Sequence, residues 1–187
     1  AGGSISLRWQ DQCHISPAGA RLDRLSAADF IPLFVDGHNS WQLARASADH
    51  ALHLACYRAR PDAQTVLLVH PPNCIALGCA GLSLAALTPG FYQAIGAAVP
   101  LLPYVVPGAQ ACVDAVAEQI VAHDALLLRN NGLILTAGSS DEALLHCQMI
   151  EEAARIVLLA HAAAGSCSFL TPEQIEELAQ TREQRRP

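Results

Sequence analysis

The order of elements along the chain predicts an α/β or α+β layered domain, a mostly antiparallel sheet with helices packed on both faces. Three observations carry this. ALLLRNNGLILTAG, residues 125–138, sets two apolar runs around Asn-Asn-Gly, whose residues tolerate positive φ, so the sheet contains a hairpin. Residues 46–60, 108–123 and 140–164 repeat apolar side chains at helical spacing. TVLLV, residues 65–69, is a short apolar run of the kind that suits a buried strand.

Taken in order, SISLRW alternates apolar and polar residues, QDQ turns, and CHIS pairs back before PAG breaks the strand. LSAADF predicts a short helical turn capped by Ser26, and FVDGH carries a strand into an Asp-Gly turn. The 46–60 helix has Ser47 as its N-cap and Asp49 in its first turn. Leu52, Cys56 and Ala59 share one face, and Pro61 is its stop. A short helical segment around CIALGCAG follows the 65–69 strand. PLLPYVV contains Pro103, which predicts an edge strand or irregular chain. The 108–123 helix turns Ala111, Ala115, Val116, Ile120 and Val121 toward the core. The 140–164 helix, capped by Ser139 or Ser140, does the same with Leu144, Cys147, Ile150, Ala154, Val157 and Leu158. Thr171-Pro172-Glu173 opens a last helix, and TREQRRP frays.

Composition narrows the function classes. With 187 residues, 52% of them hydrophobic and only 15% charged, the chain buries a sizeable core. Its net charge of -6, with arginines scattered apart from REQRR, gives nucleic acid no basic face. No apolar run reaches the roughly 18 residues a membrane span requires, and AGGSISLRWQ lacks the basic start and apolar core of a signal peptide, so a cytoplasmic location is expected. The 7 cysteines lie mostly in apolar segments, which fits reduced, buried thiols better than a disulfide framework. Cys74 and Cys79 are spaced CxxxxC, unlike a zinc ribbon.

GGSISLRW, ISPAGARLDRLSAADF, ASADHALHLACYRARPDAQTVLLVHPP, PYVVPGAQACVDAVAEQI and LLLRNNGLIL with the long helix after it occur in this order. Together they resemble the class II aldolase and adducin head family. They match in turn its GGNIS turn, its P-x-G loop, its S-x-E helix running into a His-x-His strand end, its PPGS helix and its His-Gly hairpin. The resemblance covers residues 2 to about 165, so the expected organisation is a class II aldolase/adducin-like domain over 1–165 and a C-terminal helix and tail over 166–187. It implies a three-layer α/β/α sandwich around a mostly antiparallel central sheet, assembled as a homo-oligomer, commonly a tetramer. It also implies a phosphorylated small-molecule ligand, and a zinc or similar divalent ion, held by three histidines, that stabilises an enediolate.

Carried over position by position, the site departs from that pattern. The second histidine of His-x-His matches His70, but the first falls on Leu68 and the hairpin histidine on Asn131. The catalytic glutamate matches Asp49, a carboxylate one methylene shorter. Of the phosphate-binding loops Gly3, Gly19 and Ser47 remain, while Ser4 stands for an asparagine, Ala18 for a hydroxyl residue and Ala48 for a serine.

Each candidate also has a plain structural reading. His70 is a metal ligand or a strand-end histidine retained by ancestry, and Asp49 a general base or an acid placed to suit a helix N-terminus. Gly3, Ser4, Gly19 and Ser47 make an anion pocket or ordinary turns and a cap. His53, four residues after Asp49, is within reach of a local Asp-His pair. The favoured expectation is a divergent family member without the usual zinc-dependent activity. The alternative is an active metal-dependent sugar-phosphate aldolase, epimerase or decarboxylase-like enzyme with a rebuilt site, in which case zinc or another divalent cation is the cofactor. A third reading is a binding protein that keeps the anion pocket alone.

Overall fold

The computed structural model describes residues 2–37 and 41–184. Alternating side chains pair β1 (Gly3–Trp9) with β2 (Gln12–Ile15) across a tight turn at Gln10 and Asp11, and β3 (Ile31–Phe34) adds to the outer side of β2. β4 (Thr65–Val69) lies against the other side of β1 and next to β9 (Gly132–Ala137), which forms the expected hairpin with β8 (Ala125–Leu128). Two two-residue strands, β5 (Leu84–Ala85) and β6 (Ala98–Val99), form a separate ribbon, and β7 (Leu101–Leu102) closes the edge of the main sheet beside β8. The sheet order is β3-β2-β1-β4-β9-β8-β7, and among the described residues only β7 and β8 run parallel.

The two helix layers follow from the pleat, because alternate side chains of a strand face opposite ways. Val66 and Leu68 of β4, with Leu126, Leu128 and Ile134, pack against α1 (His50–Ala59) and α4 (Gln110–Ile120). Leu67, Leu127, Leu133 and Leu135 pack on the opposite face, against α2 (Pro72–Cys79), α3 (Pro89–Ile95) and α5 (Ser140–Ala164). Central strands thus read as continuous apolar runs because both faces are covered. Each fully buried leucine there stabilises the fold by roughly 1.5–3 kcal/mol relative to exposure. The expected three-layer α/β/α sandwich is the fold observed.

Several local expectations shift. α1 begins at His50 rather than at Ser47, and its N-cap is Asp49. The reason is tertiary: the Ser47 N–H is donated to Ser16 O at 3.0 Å, which pins residues 46–48 to the 16–18 loop before the helix can start. In α4 the buried face is Cys112, Val113, Val116 and Ile120, while Ala111 is exposed and Val121 is 60% exposed. In α5 the boundaries hold, but Leu144 is 56% exposed and Ala143 and His146 are buried in its place.

The 84–99 segment is missing from the sequence reading, because two-residue strands and a seven-residue helix carry too little periodicity. Its one legible signal is the Thr88-Pro89 start of α3, where Thr88 Oγ1 accepts from Phe91 N at 3.2 Å. The strand read from FVDGH ends at Phe34, the chain turns through Val35–37, and His38 lies outside the described residues. α6 (Pro172–Gln184) starts at Thr171 as expected, with Gln174 N donating to Thr171 Oγ1 at 3.3 Å and Thr171 N to Gln174 Oε1 at 3.0 Å. It runs to Gln184, into the segment read as a frayed tail. Phe169, Leu170 and Ile175 pack on the α5 side of the core, which docks this helix on the domain.

At the start of α5, Ser139 Oγ accepts from Glu142 N at 3.1 Å, and Glu142 Oε2 accepts from Gly138 N at 2.7 Å. Ser139→Ala is expected to lower stability by about 1 kcal/mol in urea titrations, the usual effect of losing an N-cap. All 7 cysteines are free, four of them buried and Cys79 exposed. No helix among the described residues is long and apolar enough to cross a membrane.

Candidate functional site

The expected anion-binding segments meet at one end of the sheet. Gly3 and Ser4 open β1 opposite Val69 and Leu68 of β4. The 16–19 loop is tied to β1 by Ile5 N donating to Ser16 Oγ at 3.2 Å, and to the 45–47 turn by Ala18 N donating to Arg45 O at 2.9 Å. Gly3 has φ 136, and a Cβ there would stand 2.7 Å from Leu68 O, so only glycine lets β1 approach β4 at this point. Gly19, at φ 69, has open space around it.

Asp49 is the centre of the cluster. Partly buried at the α1 N-cap, it accepts from Ser4 Oγ at 3.1 Å and more weakly from Ser47 Oγ at 3.4 Å, while its own N–H donates to Ser47 Oγ at 3.3 Å. Ser4 and Ser47 are buried, so the two expected phosphate-binding hydroxyls serve the carboxylate. His50 Nδ1 lies 2.9 Å from Ser47 O. On the α4 side, burial and then the Asp49 charge push the Cys112 thiol up.

Behind Asp49 runs a buried polar string. His53 Nε2 is 2.8 Å from Ser4 Oγ and its Nδ1 is 2.7 Å from Ser6 Oγ, which lies 3.0 Å from Tyr57 OH. Tyr57 OH also donates to Ser6 O at 2.9 Å. His53 therefore reaches Asp49 through Ser4 and not as the direct Asp-His pair the helix spacing suggested. Ser4, Ser6, His53 and Tyr57 are fully buried. Burial, and then the charge of His50, push the His53 ring down to about 3, so it is neutral at ordinary pH. Sequence reading missed Ser6 and Tyr57. The signals for them are the Ser-x-Ser alternation, which puts two hydroxyls on the face of β1 opposite Ile5 and Leu7, and a Tyr four residues after His53 on α1.

His70 is exposed at the end of β4, and its Nδ1 lies 3.0 Å from Asn131 O. A carbonyl only accepts, so Nδ1 carries the proton of the neutral ring and Nε2 keeps its lone pair. The ring borders a cavity of about 530 Å³ with Gly2, Arg21, Val69 and Cys147. Leu68 is 1% exposed and belongs to the core under α1 and α4. Among the described residues no group of three or more His, Cys, Asp or Glu side chains could hold a metal ion. One imidazole, one hydrocarbon side chain and one amide do not fit a three-histidine zinc centre.

Fold and site together are a three-layer α/β/α scaffold with a carboxylate held by serines beside the strand ends. The model of the class II aldolase and adducin N-terminal domain matches residues 1–158, and the chain belongs to that family. L-fuculose phosphate aldolase of Escherichia coli strain K12 is 28% identical over 174 residues, 92% of this chain and 80% of that protein. 3-Oxo-tetronate 4-phosphate decarboxylase of Escherichia coli O6:H1 is 29% identical over 185 residues, 95% of this chain and 85% of that protein. A solved L-fuculose 1-phosphate aldolase superposes with a TM-score of 0.87 at 22% identity, covering 97% of this chain and 86% of that one, a likeness of fold.

Proposed function

We propose that this protein keeps the scaffold and the acid-binding cluster of a sugar-phosphate aldolase but not its zinc-dependent lyase chemistry. The observation that carries the reading is Leu68. By the motif resemblance Leu68 falls where a metal-binding imidazole is expected, and its side chain is built into the core, 1% exposed, where a polar replacement would have to be desolvated. Asn131 offers an amide at a second position. With a single histidine left, zinc has too few donors to acidify a proton for Asp49 to take. A phosphorylated small molecule as ligand is part of the proposal, received at the 16–19 loop where Gly19 has open space, since the Ser4 and Ser47 hydroxyls are given to Asp49. A homo-oligomer, a tetramer by resemblance, belongs to the same proposal.

A second reading rests on His70 itself. Its ring, with Nε2 bare, lines an open cavity, which favours a rebuilt metal site in an aldolase, epimerase or decarboxylase-like enzyme whose general base is Asp49.

Elemental analysis of untagged protein, purified without chelator, separates the two. The expected result is far less than one metal per chain, in the wild type and in His70→Ala alike. Near-stoichiometric zinc, manganese or iron that His70→Ala removes would overturn the first reading in favour of the second.

A further inference from the structure

The string Asp49, Ser4, His53, Ser6 and Tyr57 has its hydrogen positions set by counting. A hydroxyl has one proton to donate, and an ionised carboxylate has none. Ser4 donates to Asp49 Oδ2 at 3.1 Å, so towards His53 it can only accept. His53 must therefore carry its proton on Nε2. Nδ1 is then bare, and Ser6 Oγ donates to it at 2.7 Å. Tyr57 OH turns to Ser6 O at 2.9 Å. One charge, on the partly buried Asp49, orders three buried groups, Ser4, His53 and Ser6.

A proton on Asp49 reverses the order. Asp49 then donates to Ser4, Ser4 to Nε2, Nδ1–H to Ser6 Oγ, Ser6 to Tyr57 OH, and Tyr57 still to Ser6 O. Every buried donor finds an acceptor in both arrangements. The proton on Asp49 comes from solvent or ligand. The His53 ring exchanges Nε2–H for Nδ1–H with no net gain or loss, and stays neutral throughout.

We propose that His53 is a positioning residue for Asp49, a tautomer latch that offers the carboxylate a donor when it is ionised and an acceptor when it is protonated. Asp49 can thus be ionised or protonated without leaving Ser4, a property that suits a general acid or base and equally a carboxylate that binds ligand in either state. The proposal deepens the reading of Asp49 as the centre of the site and is independent of any metal. The other polar and titratable groups around the string are few, and Ser47, whose Oγ donates weakly to Asp49 Oδ2 at 3.4 Å, does not reach His53. His50 and Cys56 come from α1, Cys112 from α4, Cys13 from β2, and Arg8 from β1 lies over the Tyr57 ring at 5.6 Å. None of them stands between Asp49, Ser4 and His53 in the string.

Ring ¹⁵N spectra of the full chain, labelled at histidine and assigned by the loss of one signal in His53→Gln, test it. At neutral pH the wild type is expected to show His53 protonated at Nε2. In Asp49→Leu the Ser4 proton has lost its acceptor, and the ring should move to the Nδ1–H form by on the order of tenfold in population, because a stranded buried donor is costly. With Ser4→Ala in place the link is cut, and the tautomer should be the same whether residue 49 is Asp or Leu. An Nδ1–H or doubly protonated ring in the wild type, or no response in Asp49→Leu, would overturn the latch. The wild-type spectrum alone decides the first of these if a variant fails to fold. Zinc found at His70 would sink the functional proposal above and leave this result untouched.

Discussion

Acidification from pH 6.5 towards roughly 4.5 is expected to weaken the fold progressively, and His53→Gln is expected to remove much of that loss. Burial pushes the folded-state His53 ring from 6.5 down to about 3. Between those values the unfolded chain binds a proton that the folded chain refuses, so stability is complete above 6.5 and falls as the pH drops toward 3. The slope for one proton is about 1.4 kcal/mol per pH unit. Asp23, Asp29 and Asp62 do not interfere in this window. Hydrogen bonds to Arg21, Ser26 and Arg60 hold their carboxyls below the usual 3.8, so what they contribute is lost only under more acidic conditions. Urea midpoints of both proteins at several pH values from 7 down check the point. His53→Gln starts lower, because the imidazole packing is gone, but its curve should be flatter. Parallel curves would show that His53 carries no such linkage.

Gly132→Ala is expected to be the most damaging small substitution in the chain. Gly132 opens β9 where the hairpin passes the end of β4, and an added Cβ would run into Val69 O while standing 3.0 Å from His70 Nδ1 and 3.1 Å from His70 Cα. Val69 O and His70 Cα are backbone, so neither can swing aside as a side chain would. Relief requires β9 to move away from β4, in the middle of the sheet and across Leu133 and Ile134, both fully buried. Overpacking typically costs about 1–3 kcal/mol, and a clash with the backbone of Val69 and His70 puts Gly132→Ala at the upper end of that range. The same shift would disturb the contact between His70 Nδ1 and Asn131 O. Urea denaturation should show the loss, and the His70 ring signals should shift with it. A variant as stable as the wild type would mean that β4 and β9 are not held at this spacing.

The sequence by itself determined the elements whose causes are local or periodic. The Asn-Asn-Gly hairpin, the continuous apolar strand at 65–69, the boundaries of α5 and the Thr-Pro start of α6 depend on turn chemistry, side-chain period and caps, all contained within a few neighbouring residues. The ordered set of five motifs added the family and the layered sandwich. Leu68 and Asn131, at positions where the motif resemblance leads one to expect histidine, were equally plain, since that comparison needs only residue identity.

Tertiary structure decided the rest. Whether Ser47 caps a helix depended on Ser16, 31 positions away along the chain and bonded to its N–H. The true phase of α4 and α5 depended on which side of each cylinder met the sheet, a choice that period alone leaves open by about one residue. The site shows the same division. Asp49 and His53 are legible as neighbours on a helix, but their link runs through a serine 45 residues from Asp49 in sequence, brought beside them by the pairing of β1 with β4. Hydrogen bonds between groups far apart in sequence leave no periodic trace. A hydroxyl's partner is set by what the fold places within 3 Å of it, and the residue type gives only its capacity to donate and accept.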